Sequence, residues 1–302
     1  MERDSSRGKV TELLESWVKR TADPAAVEWL TEQKRRNAIG GSGTDRTFFM
    51  SIGQVSRRMG KADLDLNSSD FEEADKVRPG WTPRGWSVDQ ASRLVLLLSS
   101  TSDDVFAGRL EKLCRSADIS ELLSYYRGLP LFPDQSAYVF RATEGLRSNI
   151  KSVFESVAHW NPYPMEQFEE NAWNHMVLKA IFIGSPLYPI AGFEKRSNVN
   201  LARMLSHYAH ERWAASRQVS PELWRGVGLF AHEIESGLSD LGRVLKSGRP
   251  VEQKAAMLAL RDCPSPEAQA MINSISEDSG KNPNPDEMAT WESVSREWMD
   301  SQ

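Results

Sequence analysis

The chain has 302 residues, 40% of them hydrophobic and 26% charged, a composition typical of a globular protein that can bury a sizeable core. Its 37 lysine and arginine residues against 42 aspartate and glutamate residues give a formal charge of −5. Because nonspecific binding of nucleic acid depends on positive charge, this mild acidic excess argues against a nucleic-acid partner.

Neither the cysteines nor the apolar runs of the sequence indicate export or a membrane. Cys114 and Cys263 are far apart and form no CxxC pair or disulfide framework. The longest aliphatic run, residues 94–98, is far shorter than the roughly 20 residues of a membrane-spanning helix. The polar segment 1–7 lacks the apolar core of a secretory signal. We therefore expect a cytoplasmic protein that does not span a membrane.

Apolar residues recur at helical spacing along the chain, whereas the alternating runs typical of strands are hard to find. The sequence therefore predicts an all-α fold. Polar-Pro pairs at 23–24, 220–221 and 265–266 mark helix starts, because the polar side chain caps the helix and proline suits its first position. The predicted helices span residues 8–20, 23–36, 44–59, 68–77, 87–100, 103–116, 118–127, 136–159, 165–183, 198–217, 220–245, 249–261, 264–276 and 286–299.

Two segments near the C-terminus suggest how the helices are arranged. Residues 250–260 and 264–275 resemble an antiparallel hairpin of the HEAT type. The predicted architecture is a stack of helical hairpins resembling a HEAT-like α-solenoid, with an irregular helical bundle as the alternative. Residues 1–276 are predicted to form a single all-α domain, followed over 277–302 by a flexible linker and a short C-terminal helix.

The glycine-rich segment 40–44 and the segment 277–285 are predicted to be connections. Residues 40–44 lack the lysine and the preceding strand of a phosphate-binding loop, so a plain connector is expected. Residues 277–285, rich in Asn, Pro, Ser and Gly, are typical of a flexible linker.

A line of polar residues crosses the otherwise apolar helix predicted at 165–183. From Trp173 onward apolar residues point in every direction, which is typical of a buried helix. Asn171, His175 and Lys179 are spaced four apart, with Asn174 beside them, so we expect a polar stripe that enters the interior. The alternative is that these residues emerge at a solvated edge or satisfy neighbouring helix ends.

Arg212 falls near the centre of the apolar face of the helix predicted at 198–217, close to Tyr208, and is predicted to point inward. A guanidinium keeps its charge, so it needs a carboxylate, carbonyl oxygens or an anionic ligand. Glu211 and Glu144 are candidate carboxylate partners. A purely architectural buried salt bridge is the alternative.

The histidines do not predict a metal site. His207 and His210 are three residues apart, but Arg203 and Arg217 lie beside them, and no HExxH motif is present. The sequence therefore predicts no metal and no cofactor. All five histidines fall within residues 159–232, which hints that polar function is concentrated there.

Several segments of the sequence together resemble the EboA-domain family, most closely over residues 136–230. The matching segments are Glu144–Ile150, Asn161–Pro164, Trp173–Ala180, Asn200–Leu205, Tyr208–Ala215 and Leu223–Arg225. The chain departs from the family pattern at His175, where Gln is usual, and at His207, where an acidic or small residue is usual.

The resemblance implies a bacterial accessory protein with a role in secondary metabolism. Such proteins are encoded with a prenyltransferase-like membrane protein, a TatD-like hydrolase, and sugar-isomerase-like and cyclase-like enzymes. The group is associated with metabolite production or with movement of precursors toward the periplasm, and no reaction is implied. Residues shared with the family pattern include Asn149, Asn174, Lys179, Arg196, Asn200, Tyr208, Glu211, Arg212 and Arg225.

The first functional hypothesis is a protein that binds or traffics a small metabolite or precursor in a polar pocket between helices 165–183 and 198–217. Lys179 and Arg212 would attract an anionic group, Asn174 and Tyr208 would orient it, and Trp173 would supply an apolar wall. The predicted ligand-binding residues are Asn149, Trp173, Asn174, His175, Lys179, Arg196, Tyr208, Glu211 and Arg212.

Two hypotheses from other classes stay open. A HEAT-like scaffold would dock partner enzymes of the same gene cluster or a prenyltransferase-like membrane protein, with the buried polar residues serving structure alone. An enzyme of unknown reaction would use Glu211 or His175 as general base beside Lys179 or Arg212.

Overall fold

The computed structural model describes residues 2–39, 44–279 and 289–302. Across these ranges it contains eighteen α-helices and no β-strand, with a single isolated antiparallel bridge between Asp63 and Ser87. The all-α prediction is confirmed. The chain divides into two compact units, Met1–Phe168 and Glu169–Gln302.

The helices of the first unit follow one another with short connections. They are α1 (Glu2–Thr21), α2 (Pro24–Ile39), α3 (Thr44–Met59), α4 (Ser68–Val77), α5 (Val88–Leu98), α6 (Asp103–Ser116), α7 (Ile119–Arg127), α8 (Val139–Arg147), α9 (Lys151–Ala158) and α10 (Tyr163–Gln167). Two 3₁₀ turns, Leu129–Leu131 and Gln135–Tyr138, lie between α7 and α8.

Helix α5 is the central element of the first unit. All of its residues are buried, and it contacts α1, α2, α3, α6 and α7. Its one buried cation, Arg93, pairs with Asp89 at 2.8 Å one turn earlier, so the charge is neutralised inside the core. The aliphatic run 94–98 is therefore the centre of a core rather than a surface segment.

The second unit contains the remaining helices. They are α11 (Glu170–Phe182), α12 (Phe193–Arg196), α13 (Val199–Ala214), α14 (Leu223–Gly228), α15 (Gly237–Ser247), α16 (Pro250–Asp262), α17 (Pro266–Ser279) and α18 (Trp291–Asp300), with a 3₁₀ turn at Ala231–Glu233. Helix α16 contacts α14, α15, α17 and α18, and α13 contacts α11 and α14.

The hairpin of α16 and α17 forms as predicted, and the Asp23 and Ser265 helix starts are confirmed because each side chain accepts a backbone N–H of the following turn. The solenoid architecture and the single-domain boundaries stay predictions. Residues 40–43 and 280–288, which hold most of the predicted connector and linker, lie outside the described residues.

Three predicted helices are each divided in two in the structure. The helix expected at 136–159 is broken at residues 148–150 into α8 and α9. The helix expected at 165–183 is divided into α10 and α11. The helix expected at 220–245 is divided by a 3₁₀ turn into α14 and α15. Apolar spacing continues across each break, so the pattern alone does not reveal it.

Candidate functional site

The polar line predicted to enter the interior lies on the outer face of α11. Asn171 and His175 are exposed and Lys179 is half-buried, so the predicted burial of this line is wrong. Partial burial lowers the pKa of Lys179. The physical reason is that one of the apolar residues, Phe182, lies on the outer face and is 71% exposed. Apolar residues on all sides of this helix therefore do not mean that all of its sides are buried.

Asn174 and Trp173, the neighbours of that line, are buried as expected. The amides of Asn174 and Asn198 bond reciprocally at 2.9 and 3.2 Å, which ties α11 to the start of α13. The Arg196 guanidinium lies 5.2 Å from the Trp173 ring centroid. The indole Nε1 of Trp173 has no hydrogen-bond partner among the described residues. The structure therefore brings Trp173, Asn174 and Arg196 together.

Arg212 does not point into the core. Helix α13 ends at Ala214 rather than at 217, because Ser216 adopts a left-handed conformation with φ of 55° that does not continue an α-helix. The half-buried Arg212 then donates its Nε hydrogen to the Gln218 carbonyl at 2.9 Å. The inward placement is wrong, although a carbonyl oxygen is one of the partners expected.

The other predicted residues are spread over the chain. Tyr208 is half-buried and Glu211 is exposed, both on α13. Asn149 belongs to the first unit, in the exposed break between α8 and α9, whereas the rest belong to the second unit. A ligand-binding role for these residues stays a prediction.

His210, which was considered for a metal, has another partner. Its Nε2 atom lies 2.8 Å from the Asp240 carboxylate, and its ring stacks on Trp213. Within the described residues, no three His, Cys, Asp or Glu side chains come together as a metal site would require.

A cleft in the first unit has the features expected of a small-molecule site, and we call it the arginine cleft. Its volume is about 280 Å³. It is lined by Thr82, Arg84, Gly85, Trp86, Arg127, Ser152, Glu155, Ser156, His159, Trp160 and Asn161. Aromatic walls with a few convergent polar groups are typical of ligand pockets.

One wall of the arginine cleft is the loop before α5. Trp86 is buried edge-to-face against Trp81, whose ring in turn lies 5.9 Å from Trp17 of α1. Gly85, with φ of 68°, makes the turn beside Trp86 in a conformation that favours glycine. This packing fixes the loop that carries Arg84.

The opposite wall is the polar face of α9 and the turn that follows it. Ser152, Glu155, Ser156 and His159 recur at helical spacing, so they share one face of the helix. Trp160 follows with φ of 52°, a strained conformation for a bulky residue. Such strain persists only where surrounding structure imposes it, and it occurs often at binding sites.

Asn161 holds that strained turn in place. Its Nδ2 atom donates to the carbonyls of Tyr126 and Ser156 at 3.0 and 3.3 Å, and its Oδ1 atom accepts the Tyr163 backbone N–H at 3.0 Å. The turn is thereby bonded to α7, α9 and α10. The indole of Trp160 consequently lines the cleft from a rigid base.

Arg127, at the end of α7, presents a desolvated cation to the cleft. Its Nη1 atom donates to the Gly85 carbonyl at 2.7 Å and to Gln90 Oε1 at 2.8 Å. Among the described residues no carboxylate forms an ion pair with it. Burial lowers the pKa of Arg127, and the charge of Glu155 opposes that shift. A guanidinium remains charged, so Arg127 brings a positive charge into the cleft that no ion pair within the described residues neutralises.

Arg84 is the second cation of the arginine cleft. Its guanidinium lies 4.8 Å from the Trp160 ring centroid and 5.9 Å from that of Phe71. Nothing among the described residues accepts a hydrogen bond from it. Stacking on aromatic rings orients the guanidinium plane and leaves the in-plane N–H groups available.

A larger cleft of about 680 Å³ lies in the same unit. Its two lining arginines, Arg7 and Arg78, both form ion pairs with carboxylates. Arg7 donates to Asp103 at 3.1 Å. Arg78 pairs with Glu166 and donates to the Pro130 carbonyl at 2.8 Å. The arginine cleft is therefore the better candidate for an anionic ligand.

Sequence reasoning missed the arginine cleft, although one signal was present. Ser152, Glu155, Ser156 and His159 form a polar stripe on the helix predicted at 136–159, and none of these four residues was predicted to bind a ligand. The sequence around Arg127 does not indicate a binding role, because arginines often occur in the last turn of a helix, where they interact with its terminal carbonyl groups.

The described residues thus define an all-helical protein whose first unit carries a cationic, aromatic cleft of small-molecule size. The chain belongs to the EboA family, whose description is metabolite traffic protein EboA and whose profile matches residues 10–228. No curated protein and no solved structure shows a significant match to the chain. No helix within the described ranges combines the length and the apolar character needed to cross a bilayer.

Proposed function

We propose that this chain is a metabolite-binding protein that holds a small anionic metabolite in the arginine cleft. The observation that carries the proposal is Arg127, a desolvated guanidinium that lines the cleft without a carboxylate partner among the described residues. An anionic ligand would supply the missing counter-charge through charge-assisted hydrogen bonds. Membership of a metabolite traffic family supports a binding role.

The family resemblance supports a proposal for where this function takes place and with which other proteins. We propose a cytoplasmic, bacterial accessory protein of a secondary-metabolite gene cluster, which receives its ligand from or delivers it to other proteins of that cluster. The cleft is lined by fixed helices and turns, which suits capture and release of a ligand without large rearrangement.

The pocket predicted between residues 165–183 and 198–217 is a second candidate site. Two observations favour it: partial burial lowers the pKa of Lys179, and the buried indole Nε1 of Trp173 has no partner within the described residues. The arginine cleft ranks first because it is a defined cavity of about 280 Å³ that two guanidinium groups, those of Arg84 and Arg127, line together.

Substitution of the cleft arginines tests the proposal. Arg127→Met and Arg84→Met each remove a charge-assisted contact worth about 1.5–3 kcal/mol, so affinity for the metabolite should fall roughly ten- to a hundredfold. The measurement is mass spectrometry of metabolites retained by gently purified protein after incubation with extract of the producing cells.

Arg147→Met is the matched control, because Arg147 is an exposed arginine of the same unit that pairs with Glu144. It should retain the wild-type amount of metabolite. Arg84→Met removes no hydrogen bond within the described residues, so it separates loss of binding from loss of folding. Equal retention by wild type, Arg84→Met and Arg127→Met would contradict the proposal.

A further inference from the structure

The two arginines of the cleft are held in ways that leave most of their hydrogen-bond donors available. Both bonds from Arg127 to the protein use its Nη1 atom, so its Nε and Nη2 hydrogens have no acceptor among the described residues. Arg84 contacts two aromatic rings and donates no hydrogen bond to any described residue, so its N–H groups are available to a ligand.

The same loop brings the two guanidinium groups together. Arg127 bonds to the carbonyl of Gly85, the residue directly after Arg84, at 2.7 Å. Arg84 lies against Trp160 on the other wall of the cleft. The two cations therefore converge on one cavity from different elements, so a ligand receives donors from two directions.

The cleft contains one acidic side chain among its lining residues, Glu155. Lys151, one turn earlier, lies 3.8 Å from its carboxylate. Ser152 lies on the same face of α9. A carboxylate accepts hydrogen bonds from hydroxyl groups, so this wall suits a hydroxylated part of a ligand rather than a second anionic group.

We propose, on the basis of the function proposed above, that the ligand is a small hydroxylated phosphate monoester, with its phosphate between Arg84 and Arg127 and a hydroxyl group on Glu155. The dianion matches the two guanidinium charges. Its tetrahedral oxygens can accept from two guanidinium groups at once, whereas the coplanar oxygens of one carboxylate are filled by a single guanidinium.

The size of the cleft limits the rest of the ligand. Ligand pockets commonly measure roughly 300–1,000 Å³, and this cleft, at about 280 Å³, lies at the lower end. A short polyol phosphate or a pentose phosphate is compatible with that volume.

Titration calorimetry of the full-length protein tests this inference. The probes are glycerol 3-phosphate, ribose 5-phosphate, inorganic phosphate, glycerate and malate. We expect the phosphate esters to bind, and Arg84→Met and Arg127→Met each to weaken them at least tenfold, with Arg147→Met unchanged. Glu155→Gln should weaken ribose 5-phosphate severalfold relative to inorganic phosphate, because the loss of a negative charge near Arg127 affects both anions while only the sugar loses a hydrogen bond from its hydroxyl group.

The outcomes separate this inference from the function on which it rests. If glycerate or malate binds more tightly than the esters and depends on the same arginines, the cleft binds anions and the phosphate assignment is wrong. If no probe binds while extract metabolites are retained through Arg127, the phosphate assignment is again wrong and the proposed function stands. If Arg84→Met and Arg127→Met also retain as much extract metabolite as the wild type does, both proposals fail.

Discussion

The arginines of this protein differ in the partners that hold them, and some of those partners lie outside the arginine's own helix. Arg93 is neutralised by Asp89 within one helix. Arg212 bonds to a carbonyl beyond the end of α13. Arg127 bonds to a carbonyl and an amide oxygen and meets no carboxylate among the described residues. Helical spacing predicts only the first of these cases, because only there do both partners share a helix.

Glu222 gives a pH-dependent prediction at the residue scale. It is buried, and its Oε1 atom accepts the backbone N–H groups of Leu187 and Tyr188 at 2.9 and 3.1 Å. Desolvation raises its pKa to about 7 from the ordinary 4.5, against the opposing effects of those N–H groups and of Arg225. Between these two values the folded state keeps a proton that the unfolded state releases.

Raising the pH from 4.5 to 7 should therefore lower the free energy of unfolding of the wild type relative to Glu222→Gln, by up to about 1.4 kcal/mol per pH unit. The glutamine keeps an oxygen acceptor and does not titrate. Urea unfolding of both proteins across this pH range measures the difference. A difference that stays constant with pH would contradict the account of Glu222.

At the scale of elements, apolar periodicity predicts the positions of the helices well. It predicts less well which face of each helix is buried. The order of helices along the chain is close to that expected, because apolar spacing and proline caps act within a few residues. The polar line of α11 was misplaced because Phe182 and Leu178 make part of its outer face apolar. The break between α8 and α9 was missed because the apolar stripe continues on both sides.

The close contact between α14 and α16 gives a prediction at the scale of elements. A Cβ atom added at Gly228, the end of α14, would lie 2.6 Å from the Ala259 carbonyl oxygen on α16. Gly228→Ala should therefore lower the free energy of unfolding by about 1–3 kcal/mol through overpacking. Gly53→Ala in α3 is the control, since nothing lies within 4 Å of its Cβ position.

The control should raise the free energy of unfolding by about 0.5–1 kcal/mol, because alanine favours the helix more than glycine does. Chemical denaturation measures both variants. If Gly228→Ala is as stable as the wild type, α14 and α16 do not approach as closely as the structure indicates.

For the whole molecule, the all-α class and the family were predictable from sequence, and the arginine cleft was not. The family match, residues 10–228, extends over both compact units. The cleft combines residues 82–86, 127 and 152–161, which are separate in sequence and adjacent only after folding. The strained Trp160, and Arg127 with no ion-pair partner in the described ranges, are products of tertiary packing, so no local pattern indicates them.

The most direct test of the central claim is labelling of arginines by phenylglyoxal, read by mass spectrometry at each position, with and without small-molecule extract of the producing cells. The account predicts that exposed Arg84 is labelled in buffer and protected by extract. Arg147, outside the cleft, should be labelled equally in both. Protection of Arg196 and Arg212, with Arg84 labelled equally in both conditions, would contradict it and place the ligand beside α13.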